Sequence, residues 1–159
     1  MPYCTQADVL PLKGDVALPS TVQVQDFIVR ANNDIDAALS ERYVVPIVGG
    51  TAQTTAVLLA INADLATGRL IMSLTVASQD EVLNEYGRSL VSRAIEGDAA
   101  TGTLGLRALR EGAFILPGAT LKTGVTSASQ FSIRIKSPTP DGTSDKSYHD
   151  YFFDYFGFS

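Results

Sequence analysis

Apolar residues return at three- and four-residue spacing along three stretches of this chain, the period of one face of an α-helix. Before the first of them, Thr5 to Leu10 reads as a short helical turn with Thr5 as its cap, ended by Pro11 and the loop LKGDVALP. Ser20 opens STVQ, a capping box in which the Ser20 hydroxyl and the Gln23 side chain occupy free amides at a helix start. Val24, Phe27, Ile28, Ala31, Ile35, Ala38, Leu39 and Tyr43 then form one apolar stripe, while Gln25, Arg30, Asn33, Asp36 and Glu41 face away. This helix is expected to run to about Tyr43.

Pro46 stops the pattern, and Gly49 and Gly50 make a turn into a second helix, roughly Thr54 to Ala77, apolar around most of its circumference and so central. Ser78 begins SQDE, a second capping box, after which Val82, Leu83, Tyr86, Leu90, Val91, Ala94 and Ile95 trace an apolar face that Gly97 ends. Gly102 and Gly105 interrupt the chain, and LGLRALREG supplies one more short helix. The expectation is a mainly α protein, an antiparallel helical bundle over residues 1–112.

After Gly112 the period drops to 2 and the composition turns to Gly, Ser, Thr and Pro. FSIRIK alternates as a half-buried strand does, and AFILPGATLK places a Pro-Gly turn between strand formers, so a β-hairpin is expected over 113–136. SPTPDGTSDKS reads as an extended linker, which makes 137–159 a C-terminal arm ending in DYFFDYFGFS. Tyr151, Phe152, Phe153, Tyr155, Phe156 and Phe158 are six of the thirteen aromatics (Tyr 6 plus Phe 7). Six such side chains contribute on the order of 30 kcal/mol if wholly buried, against roughly 15 kcal/mol to order ten residues. Half-burial only breaks even, so the arm needs a deep, preformed surface. That surface is either its own domain or, on the functional reading, another subunit or partner.

Length and composition suit one globular core: 159 residues, 45% hydrophobic and 18% charged. A formal charge of −5 gives no electrostatic grip on nucleic acid or anionic lipid. The amino terminus has no basic region followed by an apolar stretch, no glycosylation sequon occurs, and the lone Cys4 has no partner for an internal disulfide, so synthesis in the cytosol is expected. The longest uninterrupted apolar run in the second helix, AVLLAI, is far short of a membrane span, and no membrane partner is expected.

Catalytic chemistry finds little to work with. His149 is the only histidine and lies in the arm, so a Cys-His or Ser-His-Asp site has to be built on it. Cys and His cannot supply a metal cluster, and the glycine pairs lack the Lys-Ser/Thr of a phosphate loop. Asp34, Asp36, Asp64 and Glu41 read as solvated helix faces. No enzyme, cofactor or metal is expected.

TQADV, DIDAALSERYVVPI, INADLATGRLI and DEVLNEYGRSLVSRAIEG together resemble the head-tail connector proteins, also called adaptor or head-completion proteins, of long-tailed bacteriophages and prophages. The most specific piece is Ile35-Asp36, Leu39, Arg42-Tyr43 and Pro46-Ile47, similar to that family's acidic helix closing on Arg-Tyr-x-x-Pro-Leu. Asp64, Leu65, Ala66 and Arg69 look like its second-helix signature, and Tyr86, Ala94, Ile95 and Gly97 like its third. The resemblance covers roughly residues 4–105; the loop GDVALPS carries none of it, and the chain after Gly112 is longer and more aromatic than the family core.

The resemblance implies a virion component, made in the host cytoplasm, that assembles as a dodecameric ring beneath the capsid portal and offers a surface to the next neck or tail protein. DNA would pass through without specific binding. The six arm aromatics would then dock on the portal or a neighbouring copy, and Asp15, Glu96, Asp98 and Glu111 are candidates for acids facing the channel, where they would repel phosphate. The alternatives are a small helical binding or regulatory module, and a stopper or tail-terminator protein of the same neck.

Overall fold

Helix packing starts from the most apolar segment. The computed structural model describes residues 3–20 and 22–124, which all fall in one compact unit, Met1–Ser129. Its helices are α1 (Gln6–Leu12), α2 (Val24–Leu39), α3 (Ala52–Ser78), α4 (Glu81–Glu96) and α5 (Leu106–Glu111), with a two-stranded hairpin of β1 (Gly97–Asp98) and β2 (Thr103–Leu104) between the last two. The architecture is the mainly α bundle that the periodicity predicts.

α3 is the central element, and α1, α2 and α4 all pack against it. By length and hydropathy its Ala52–Val76 stretch is long and apolar enough to cross a membrane, yet 61% of its most apolar window is buried inside this fold. Ile61, Ala63, Leu65, Ala66, Leu70 and Ile71 are buried on all sides of the helix, as an all-round apolar helix requires. The connection to α4 is Gln79-Asp80 alone, so the two helices run antiparallel as a tight pair. They approach closely enough that a Cβ on Gly68 would lie 2.6 Å from the Gly87 carbonyl oxygen, and one on Gly87 would lie 2.9 Å from that of Gly68.

Several ends differ from the sequence reading. α1 runs through Pro11 to Leu12; the helix is so near its end that proline removes only one bond from an exposed last turn. α2 starts at Val24 with Gln23, not Ser20, as its cap residue, and it stops at Leu39. Ser78 is the last residue of α3; the cap of α4 is Asp80, whose carboxylate accepts the Leu83 amide at 3.0 Å. A charged oxygen at that position also meets the positive end of the helix dipole.

The hairpin pairs Gly97 with Leu104 and Asp98 with Thr103, in a stretch that the sequence reading assigned to turns. Of the hairpin expected over 113–136, residues 125–136 lie outside the described residues. Over 113–124 the chain forms no strand of its own. It turns at Pro117-Gly118 and lays residues 120–122 against 42–44, with a bridge between Tyr43 and Leu121 and Val44 donating to the Thr120 carbonyl at 2.9 Å. Leu116 enters the core, 1% exposed, so the core continues past residue 112. Its amide donates to the buried Tyr43 hydroxyl at 3.2 Å.

Candidate functional site

Polar side chains inside this bundle mostly hold it together. Asp64, expected on a solvated face, is buried: its carboxylate takes two hydrogen bonds from Arg93 of α4, Nε at 2.7 Å and Nη2 at 2.5 Å. The reason is its place in the stretch 61–68, where every residue of α3 is buried and an acid needs a partner. The paired carboxylate in turn raises the Arg93 pKa. Asp36 is also engaged, accepting the Tyr3 hydroxyl at 2.5 Å and the Asn32 amide at 3.3 Å. Tyr3 is half-buried, and its hydroxyl also accepts the Ile47 amide. Desolvation and then the Asp36 hydrogen bond raise the Tyr3 pKa. Asp34 pairs with Arg69.

The residues that carry the connector resemblance are therefore largely those of the α2–α3–α4 framework. Ile35, Leu39 and Tyr43 are fully buried. Arg42 covers Gly112, where a Cβ would run into the guanidinium. Pro46 follows a cis peptide bond. Cys4 is buried beside Asn62, and burial, followed by the Asp8 charge, pushes its thiol up to about 11.

The four candidate channel acids divide between the two ends of α4. Asp15 is exposed and lines a groove of about 610 Å³ with Pro11, Val82 and Tyr86, beside the start of α4. Glu96 and Glu111 lie at its other end and share one cation: Arg107 reaches Glu96 at 2.8 Å and Glu111 at 3.0 Å. The two carboxylates raise the Arg107 pKa. Asp98 sits in the hairpin, and the Thr101 hydroxyl and the Ala100 amide lower its pKa. The 16 residues of α4 put these ends about 24 Å apart, so the acids form no single patch. The arm aromatics Tyr151, Phe152, Phe153, Tyr155, Phe156 and Phe158 lie outside the described residues, as does His149.

Surface features that the sequence reading missed lie on α4 itself. Val82, Tyr86 and Ile95 were assigned to its buried face, but Val82 is 77% exposed and the other two 41% each. The buried face is narrower, Gly87, Leu90 and Ala94, because the close approach of Gly68 and Gly87 fixes which strip of α4 meets α3. Val76, near the end of α3, is 79% exposed. At the α3–α4 tip Val82 thus lines the groove with Lys13, Asp15 and Asp80, and Asp80, Glu81, Glu85 and Arg88 line a separate polar recess. At the other end Ile95 opens into a recess of about 300 Å³ with Ala38, Leu106, Arg107 and Arg110. Among the described residues no three His, Cys, Asp or Glu side chains converge as metal ligands.

No protein-family profile matches the chain, and neither a curated protein nor a solved structure is significantly similar to it.

Proposed function

We propose that this protein is a structural virion component, an adaptor that forms a ring between the capsid portal and the tail of a long-tailed bacteriophage. In that role it extends the DNA channel and offers a docking surface to the next neck protein, without catalysis or a cofactor. The observation that carries the reading is the signature Ile35-Asp36, Leu39, Arg42-Tyr43, Pro46-Ile47, together with Asp64 and Arg69 in the next helix. Exposed Val76 and Val82 at one end of the bundle and Ile95 at the other give it physical support, since large exposed apolar side chains favour association. The aromatic arm DYFFDYFGFS adds a segment that needs a surface to cover it. Channel-lining roles for Asp15, Glu96, Asp98 and Glu111 belong to the same proposal, with Glu96 and Glu111 half-neutralised by Arg107.

A small helical binding or regulatory module is the second reading, and it predicts a monomer or dimer. Light scattering of the full-length protein and of a version ending at His149, each alone and mixed with the portal protein of the same genome, separates the two. A large complex formed only by the full-length protein supports the adaptor with its arm as anchor. Equal binding by both versions keeps the adaptor but removes the anchor role, and no binding by either leaves the regulatory module.

A further inference from the structure

Residues 3–12 lie across three helices, and their hold on them is thin. The Tyr3 amide donates to Asn32 of α2 at 3.0 Å and its hydroxyl to Asp36 of the same helix. Cys4 donates to Asn62 of α3 at 3.4 Å, and the Leu12 carbonyl accepts the Tyr86 hydroxyl of α4 at 2.9 Å. Of these ten side chains only Cys4 and Val9 are buried. The link onward to α2 places no anchor of its own in the core, since none of residues 10–20 is buried. Closure of this segment also carries a cost. Asn62 is 0% exposed against Cys4, and its side-chain Nδ2 has no hydrogen-bond partner among the described residues. A buried donor left unpaired has lost water without a replacement, which favours any state that returns water to it.

We infer that residues 3–12 form a strap that opens as a unit while α2, α3 and α4 stay folded, uncovering Cys4, Asn62 and the faces of α2 and α3 that α1 covers. A segment with few buried side chains and an exposed connection opens at a lower free energy than the whole molecule unfolds. The three long helices keep their most extensive contacts, α3 with α4 and α2 with α3, when the strap leaves. Tyr3 is the latch, because its one hydroxyl donates to Asp36 and accepts the Ile47 amide at 2.9 Å. Asn62 works against it. The device controls access to the covered faces of α2 and α3, and it holds for an adaptor and for a regulatory module alike.

Cys4 reports the opening, since it is the chain's one cysteine and is buried while the strap is closed. The full-length protein is labelled with a chromogenic disulfide reagent across a urea series, and each rate is divided by that of the same variant fully unfolded. Below the unfolding transition, labelling should run roughly a hundredfold faster than global unfolding allows and should depend only weakly on urea. Tyr3→Phe should speed it about tenfold, and Asn62→Leu, which removes the unpaired donor, should slow it about tenfold. Labelling that follows global unfolding at every urea concentration, with circular dichroism as the measure of unfolding, places the strap in the cooperative core and overturns the inference. Either variant labelled at the parent's rate overturns it as well.

Discussion

Asp64 is where a single side chain depends most on its surroundings. An acid in the part of a helix that is buried on every side has nowhere to be solvated, and the fold answers with the two hydrogen bonds from Arg93. The Asp64 side chain is 6% exposed and that of Arg93 35%, so water screens one partner more than the other. Breaking such a pair leaves a buried charge without its counterion, at a cost of about 3–5 kcal/mol when both partners are buried. With Arg93 partly in water the lower end applies. Arg93→Ala should destabilise the protein by about 3 kcal/mol, read from the urea midpoint, and Asp64→Leu combined with Arg93→Leu should recover most of that loss. The acid was visible in the sequence and its helix was known to be central. Its partner was not, because Arg93 lies in another helix, and only the packing of α4 on α3 brings the two together.

At the scale of elements, the pairing of α3 with α4 turns on Gly68 and Gly87. A helical glycine is ordinarily a weakness, and replacing it by alanine stabilises an exposed helix by about 1 kcal/mol. Here the sign reverses. A Cβ at Gly68 meets the Gly87 carbonyl oxygen and, at 2.7 Å, a methyl of Val91; a backbone carbonyl cannot swing aside as a flexible side chain can. Gly68→Ala and Gly87→Ala should each destabilise by about 1–3 kcal/mol, the range of overpacked cores. A gain in either variant, measured by denaturant unfolding, would mean that the helices do not cross there. The helices themselves were legible from their three- and four-residue spacing. Their ends were less so, because a Ser three positions too early at Ser20 or two too early at Ser78 looks the same in sequence as a working cap. Which of the apolar positions on α4 are covered was also hidden, since Val82 and Ile95 differ from Leu90 only in what stands opposite them.

The whole unit closes only when the chain beyond α5 returns to it. Leu116 fills the core against Tyr43, and the Pro117 carbonyl accepts the Thr54 hydroxyl at 2.6 Å and the Thr51 amide at 3.1 Å, tying this segment to the start of α3. Burying one leucine is worth about 1.5–3 kcal/mol and each hydrogen bond about 1 kcal/mol. A version of the protein ending at Gly112 should therefore be less stable than one ending at Gly124 by on the order of 4 kcal/mol. Circular dichroism on the two versions measures this directly. Equal stability of both would place Leu116 outside the core. The sequence pattern marked AFILPGATLK as a turn between strand formers, and the turn is there. Its pairing partner, Tyr43, lies more than seventy residues earlier, beyond the reach of any local pattern.

By itself the sequence determined the helical class, the central place of α3 and the positions of most turns, because the spacing of apolar side chains and the conformational limits of Gly and Pro act over a few residues. It also carried the connector resemblance and the aromatic arm on which the functional proposal stands. The tertiary structure decided which polar groups are spent inside and which apolar groups remain outside: Asp64 held by Arg93, Tyr43 by Leu116, and Val82 and Ile95 left at opposite ends of α4. Those outcomes depend on contacts between residues far apart in the chain, and burial is a property of the packed neighbours and not of the residue.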